Sequence, residues 1–164
     1  MDEVRERYTN IISAYGRYFP LAALITYVVY DIRQKKPLNI MYFPLSMKVQ
    51  GFCIGLADCD LIGIRIGLNE NQKQITILHE LSHFILQHVK LYSDNYGTMT
   101  LCKFLSSINL NDINTEAFLR HDAIVGYSNA RELEAESLAT LLSPCIINVG
   151  TIPNIIRDLY RIRG

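Results

Sequence analysis

Apolar residues recur at helical spacing near both ends of the chain and at strand spacing between them. In residues 3–17, Val4, Tyr8, Ile11, Ile12 and Tyr15 stand three or four apart among mixed charges, the stripe of an amphipathic helix. A second helix is expected over 20–32, opened by Pro20, whose missing N–H costs nothing in a first turn. Lys35-Lys36-Pro37 then makes a turn. Leu38-Asn39-Ile40-Met41-Tyr42-Phe43 reads as a strand stopped by Pro44. Residues 49–68 read as an antiparallel hairpin. Its first strand carries Gly51 and Gly55, its turn is Asp58-Cys59-Asp60, and Ile62, Ile64 and Ile66 alternate along the return. Ile75, Leu78, Leu81, Ser82, Ile85 and Val89 predict a long helix over about 71–90. Residues 92–115 are polar and predict loops with one helix around 99–107. A further helix covers 129–143, ended by Ser143-Pro144, and a last one covers 152–162. Helices, then strands, then helices predict an α+β fold: a small, mostly antiparallel sheet packed on the long helix, flanked by N- and C-terminal helices.

Composition narrows the function classes. The chain has 164 residues, 49% hydrophobic and 20% charged, which suits one domain over 1–164 with an ordinary core. Sixteen basic and sixteen acidic residues cancel, so bulk charge points to neither a nucleic-acid nor a membrane partner. The most apolar stretch, 19–30, is shorter than the roughly 20 residues that span a bilayer. The charged start Met1-Asp2-Glu3-Val4-Arg5-Glu6 is no secretory signal, and a cytoplasmic location is expected. Cys53, Cys59, Cys102 and Cys145 form no Cys-x-x-Cys pair and read as small buried thiols of a reduced protein.

The long helix carries the candidate chemistry, His79-Glu80-Leu81-Ser82-His83. Histidines four apart on a helix present both imidazoles on one face, one turn apart. Two such nitrogens and one further ligand suit zinc. Glu80, adjacent to the first histidine, can take a proton from a water beside the metal and pass it to a leaving amine. His88 does not share the 79/83 face and His121 is remote; both read as exposed or locally hydrogen-bonded side chains. A third histidine six residues after His83 is ruled out because that position is Val89. A Gly-Thr-x-x-Asp ligand is ruled out because Gly97-Thr98-Met99-Thr100 leads into Leu101. The remaining donors are Glu132, Glu134 and Glu136 in Arg131-Glu132-Leu133-Glu134-Ala135-Glu136. The face of Glu132 continues through the small residues Ala135, Ala139 and Ser143, which would let this helix approach the zinc helix. Glu134 shares its face with Leu138 and Leu141, which look like core. Glu132 is the favoured ligand, with Glu136 left to orient a ligand imidazole.

Three pieces together resemble the ImmA/IrrE metallopeptidases. They are the strand ending Ile64-Arg65-Ile66-Gly67-Leu68-Asn69, the run Ile77-Leu78-His79-Glu80-Leu81-Ser82-His83-Phe84-Ile85-Leu86-Gln87-His88, and Glu132-x-x-Ala135-x-x-Leu138-Ala139 followed by Leu141-Leu142-Ser143-Pro144. Leu138 stands where that family usually has an aromatic residue. The resemblance implies a gluzincin-like fold with a zinc-binding core at about 38–144, zinc held by His79, His83 and Glu132, and Glu80 as general base. It also implies a narrow-specificity endopeptidase that cleaves a helix-turn-helix repressor or similar regulatory protein, here encoded separately. The competing expectation is a regulator of the same fold that sequesters a repressor or antitoxin without cutting it. Strand 61–68 is the expected edge on which a peptide would add as a further strand. Tyr127 reads as a core residue, with an oxyanion role as its alternative.

Overall fold

The computed structural model describes residues 1–94, 97–108 and 128–147. The helix expected over 152–162, with His121 and Tyr127, lies outside the described residues. Helix α1 (Asp2–Tyr15) buries Val4 and Ile11, the inner edge of its stripe. Strand β1 (Phe19–Pro20) leads into α2 (Leu21–Tyr27). Pro20 sits just outside α2 as its N-cap, and the helix widens into a π turn over Val28–Ile32. Gln34 and Lys35 then take left-handed backbone, φ 54° and 68°, and make the expected turn.

The three strands β2 (Leu38–Phe43), β3 (Gly51–Gly55) and β4 (Asp60–Arg65) form one sheet. β3 and β4 are the antiparallel hairpin, with Cys53 opposite Ile62. β2 runs parallel to β4, Leu38 opposite Asp60, so the order is β2-β4-β3 and the sheet is mixed, not mostly antiparallel. Leu61, Ile62 and Ile64 are all fully buried, so both faces of β4 are covered, and its pairings with β2 and β3 occupy both of its edges. Residues 61–68 therefore do not supply the sheet edge; β2 and β3 do. Gly63 leaves room in β4 for the Phe52 ring. At the start of β4, Asp60 is buried and accepts from Arg33 Nε and Nη2 at 2.7 and 2.9 Å, with Lys36 Nζ at 3.2 Å. This ion cluster ties the π turn to the sheet.

Helix α3 (Glu70–Ile85) opens with a capping box: Asn69 Oδ1 accepts from Gln72 N, and Gln72 Oε1 accepts from Asn69 N. It ends at Ile85, earlier than its apolar pattern suggests, because the chain reverses at Gln87. A short ladder joins β5 (Ser93–Asp94) to β6 (Gly97–Thr98), and α4 (Leu101–Ser107) follows. Helix α5 (Asn129–Leu142) is N-capped by Ser128 and runs into a 3-10 turn at Ser143–Cys145. β7 (Ile146–Ile147) then pairs in parallel with β1. One core cluster joins α1, α2, α3, α5 and one face of the sheet through Ile11, Leu24, Ile62, Leu78 and Leu138. A second, on the opposite face, contains Phe43, Phe52, Leu61 and Phe104. Leu141, expected in the core, is exposed. All four cysteines are free thiols and Cys102 alone among them is exposed. No described helix is long and apolar enough to cross a membrane.

Candidate metal centre

Helix α3 brings His79 Nε2 and His83 Nε2 to 3.2 Å of one another. Helix α5 packs against α3 with Ala135 and Ala139 buried, and the small side chains let the helices approach. That approach carries Glu132 Oε2 to 3.2 Å from His79 Nε2 and 3.7 Å from His83 Nε2. Ligands of a tetrahedral ion with bonds of about 2.0–2.1 Å stand about 3.3 Å apart, so the three donors fit a metal such as zinc. Among the described residues, His79, His83 and Glu132 form the group able to hold an ion. Burial holds the His83 pKa down to about 3, helped by His79, His88 and Arg131. Its imidazole is therefore neutral at ordinary pH, the form that offers a lone pair.

The three glutamates left open by sequence go to three different nitrogens. Glu132 meets the paired Nε2 atoms, Glu136 Oε2 lies 3.2 Å from His79 Nδ1, and Glu134 Oε2 lies 3.0 Å from His88 Nε2. Glu136 thus stands where an orienting carboxylate was expected. Exposure grades outward across the set: the His83 side chain is 1% exposed, His79 21%, Glu132 42% and Glu136 67%. The site is anchored in the core and opens to solvent.

Glu80 is buried beside these donors. Its carboxyl is pushed up to about 7, chiefly by burial and also by Glu132, against the opposing pull of His79 and a hydrogen bond with Cys53. Strand β3 closes over it. A Cβ at Gly51 would come within 2.5 Å of Thr76 Cγ2 and 3.2 Å of Glu80 Oε1, so glycine there is what lets β3 lie this close to α3. Glu80 and the three donors open into one pocket of about 410 Å³, bounded by residues 48–53, Ile75 and Thr76. The arrangement can hold a cation at one wall, keep a buried carboxyl beside it, and receive a ligand along β3.

His88, read from sequence as exposed or locally hydrogen-bonded, is hydrogen-bonded to His83 and not exposed. It is buried, with Nδ1 3.0 Å from His83 Nδ1. Burial lowers its pKa, while Glu134 raises it. No sequence signal marks this placement: a left-handed residue at 87 folds position 88 back over position 83, and glutamine does not announce that conformation. No family model matches the sequence, and no curated protein or solved structure matches it significantly.

Proposed function

We propose that this chain is a zinc-dependent endopeptidase of narrow specificity, with His79, His83 and Glu132 as ligands and Glu80 as general base. The observation that carries the reading is the convergence of the three donors and a buried carboxyl of raised pKa in one open pocket. When bound, the ion supplies Lewis acidity and a water of lowered pKa. Glu80, buried beside the donors, would take a proton from a water in the pocket and return it to the amine that leaves. Strand β3, an edge of the sheet beside the pocket, would bind the substrate as an extended strand. The substrate in this reading is a separately encoded helix-turn-helix repressor or a similar regulator, as the resemblance of the motifs implies. A cytoplasmic setting belongs to the same reading.

Two measurements test it. Zinc content should be near one per chain in the wild type and lost in His79→Ala; equal content in both refutes the metal site. A co-expressed candidate helix-turn-helix repressor should be cut by the wild type and stay whole with Glu80→Ala. If both relieve repression and the repressor remains intact, the chain sequesters its target and proteolysis is the wrong assignment.

A further inference from the structure

We propose that Glu134 and His88 form a hydrogen-bonded relay that fixes the tautomer and orientation of His83, presenting its Nε2 to the metal. This rests on the metal site proposed above and extends it to two residues that touch neither ion nor substrate.

The donor order follows from valence. A carboxylate only accepts, so the 3.0 Å contact to Glu134 Oε2 requires a proton on His88 Nε2. For His83 to offer Nε2 to an ion its proton must sit on Nδ1, and the 3.0 Å contact then makes His88 Nδ1 the acceptor. His83 is left with a bare Nε2, the atom that faces His79 Nε2 and Glu132 Oε2. Metal-bound imidazoles ordinarily give their second N–H to an acceptor that sets ring angle and tautomer. His79 has Glu136 in that place, on the exposed rim. His83 has a buried imidazole, itself set by a carboxylate.

The backbone is built to deliver it. Gln87 takes φ 55°, a left-handed conformation unusual outside glycine. His88 N–H donates to His83 O at 2.9 Å and Gln87 N–H to Phe84 O at 3.0 Å. Those two bonds are a Schellman motif, in which the residue after the left-handed position lies back over the third residue from the helix end. A hydrophobic pair usually fills that overlap. Here it is filled by the two imidazoles, ring centroids 5.2 Å apart. The helix cap and the support of the ligand are one structure.

The test is Co2+ binding by the full chain, read by competition against a chromophoric chelator and by the visible spectrum of bound cobalt. His88→Phe keeps the ring's bulk without its nitrogens, and Glu134→Ala removes the carboxylate from a partly exposed helix position. Each should bind Co2+ roughly 10- to 100-fold more weakly. His88→Asn, whose Oδ1 can stand in for Nδ1, and Glu134→Gln, which keeps an acceptor, should recover most of the affinity. Wild-type affinity and spectrum in both His88→Phe and Glu134→Ala overturns the relay. If His88→Phe does not fold, the Glu134 pair decides: equal weakening in Glu134→Ala and Glu134→Gln assigns the effect to charge and also overturns it. His79→Ala separates the two levels. If it binds as wild type does, the metal site is wrong; if it loses the ion while the relay variants keep theirs, only the relay is wrong.

Discussion

At the scale of single residues, the site is a set of assignments between carboxylates and imidazole nitrogens. Glu132, Glu134 and Glu136 lie within two turns of one helix, and each reaches a different nitrogen. Glu80 is set apart from them by burial, and burial makes its charge a stability term. Its carboxyl titrates near 4.5 when solvated and about 7 in the metal-free fold, so the fold favours its protonated form. Stability from this group is complete below pH 4.5 and is lost as pH rises through 7. The loss is up to about 3 kcal/mol for a shift of this size. His83 acts oppositely: its pKa falls from 6.5 to about 3, so its stability is present above 6.5 and lost on acidification. Subtracting the metal-free stability curve of Glu80→Gln from that of wild type isolates the first effect. Urea unfolding should show wild type losing ground to the variant between pH 5 and pH 8; a constant difference would show that Glu80 is not desolvated. His79, Glu80 and His83 were legible from spacing alone, because a helix converts four positions into one turn. The choice among three glutamates required a face argument and favoured Glu132. His88 was illegible, because its position depends on a left-handed glutamine rather than on any periodicity.

Among elements, the decisive relation is between β3 and α3. The strand lies against the helix only because position 51 has no side chain. Gly51→Ala would press on Thr76 and on Glu80 together, displacing the strand and tilting the carboxyl. Overpacking of this kind costs about 1–3 kcal/mol, and under the proposed peptidase reading turnover should fall by more than the stability loss explains. Chemical denaturation beside a peptide-cleavage assay checks it; full activity in a folded Gly51→Ala would mean that the strand has slack. Local patterns predicted β2, the hairpin, α3, α4 and α5 within a few residues. They did not reveal that β2 runs parallel to β4, since pairing direction is a property of the crossover between strands. The apolar run Leu61, Ile62 and Ile64 showed that both faces of β4 are covered, but edge strand β3 buries Phe52, Cys53 and Ile54 in the same way. Only the pairing order, with β4 between β2 and β3, places the edge, and no local pattern carries it.

For the whole molecule, the donor set bridges positions 53 residues apart, so an ion there would cross-link α3 to α5. Metal binding confined to the native state adds mass-action stabilisation. A chelator should therefore lower the Tm of wild type by several degrees and leave His79→Ala unmoved. Equal response in both would remove the ion from any part in holding the fold. The same separation has a temporal meaning. A ribosome adding about 5–20 residues per second makes His79 and Glu80 roughly 3 to 10 seconds before it reaches Glu132. By the end of that interval the nascent chain holds Glu80 and both imidazoles but not Glu132. The unfinished chain cannot assemble the complete donor set beside its own exposed strands; the set closes only when α5 folds down onto α3.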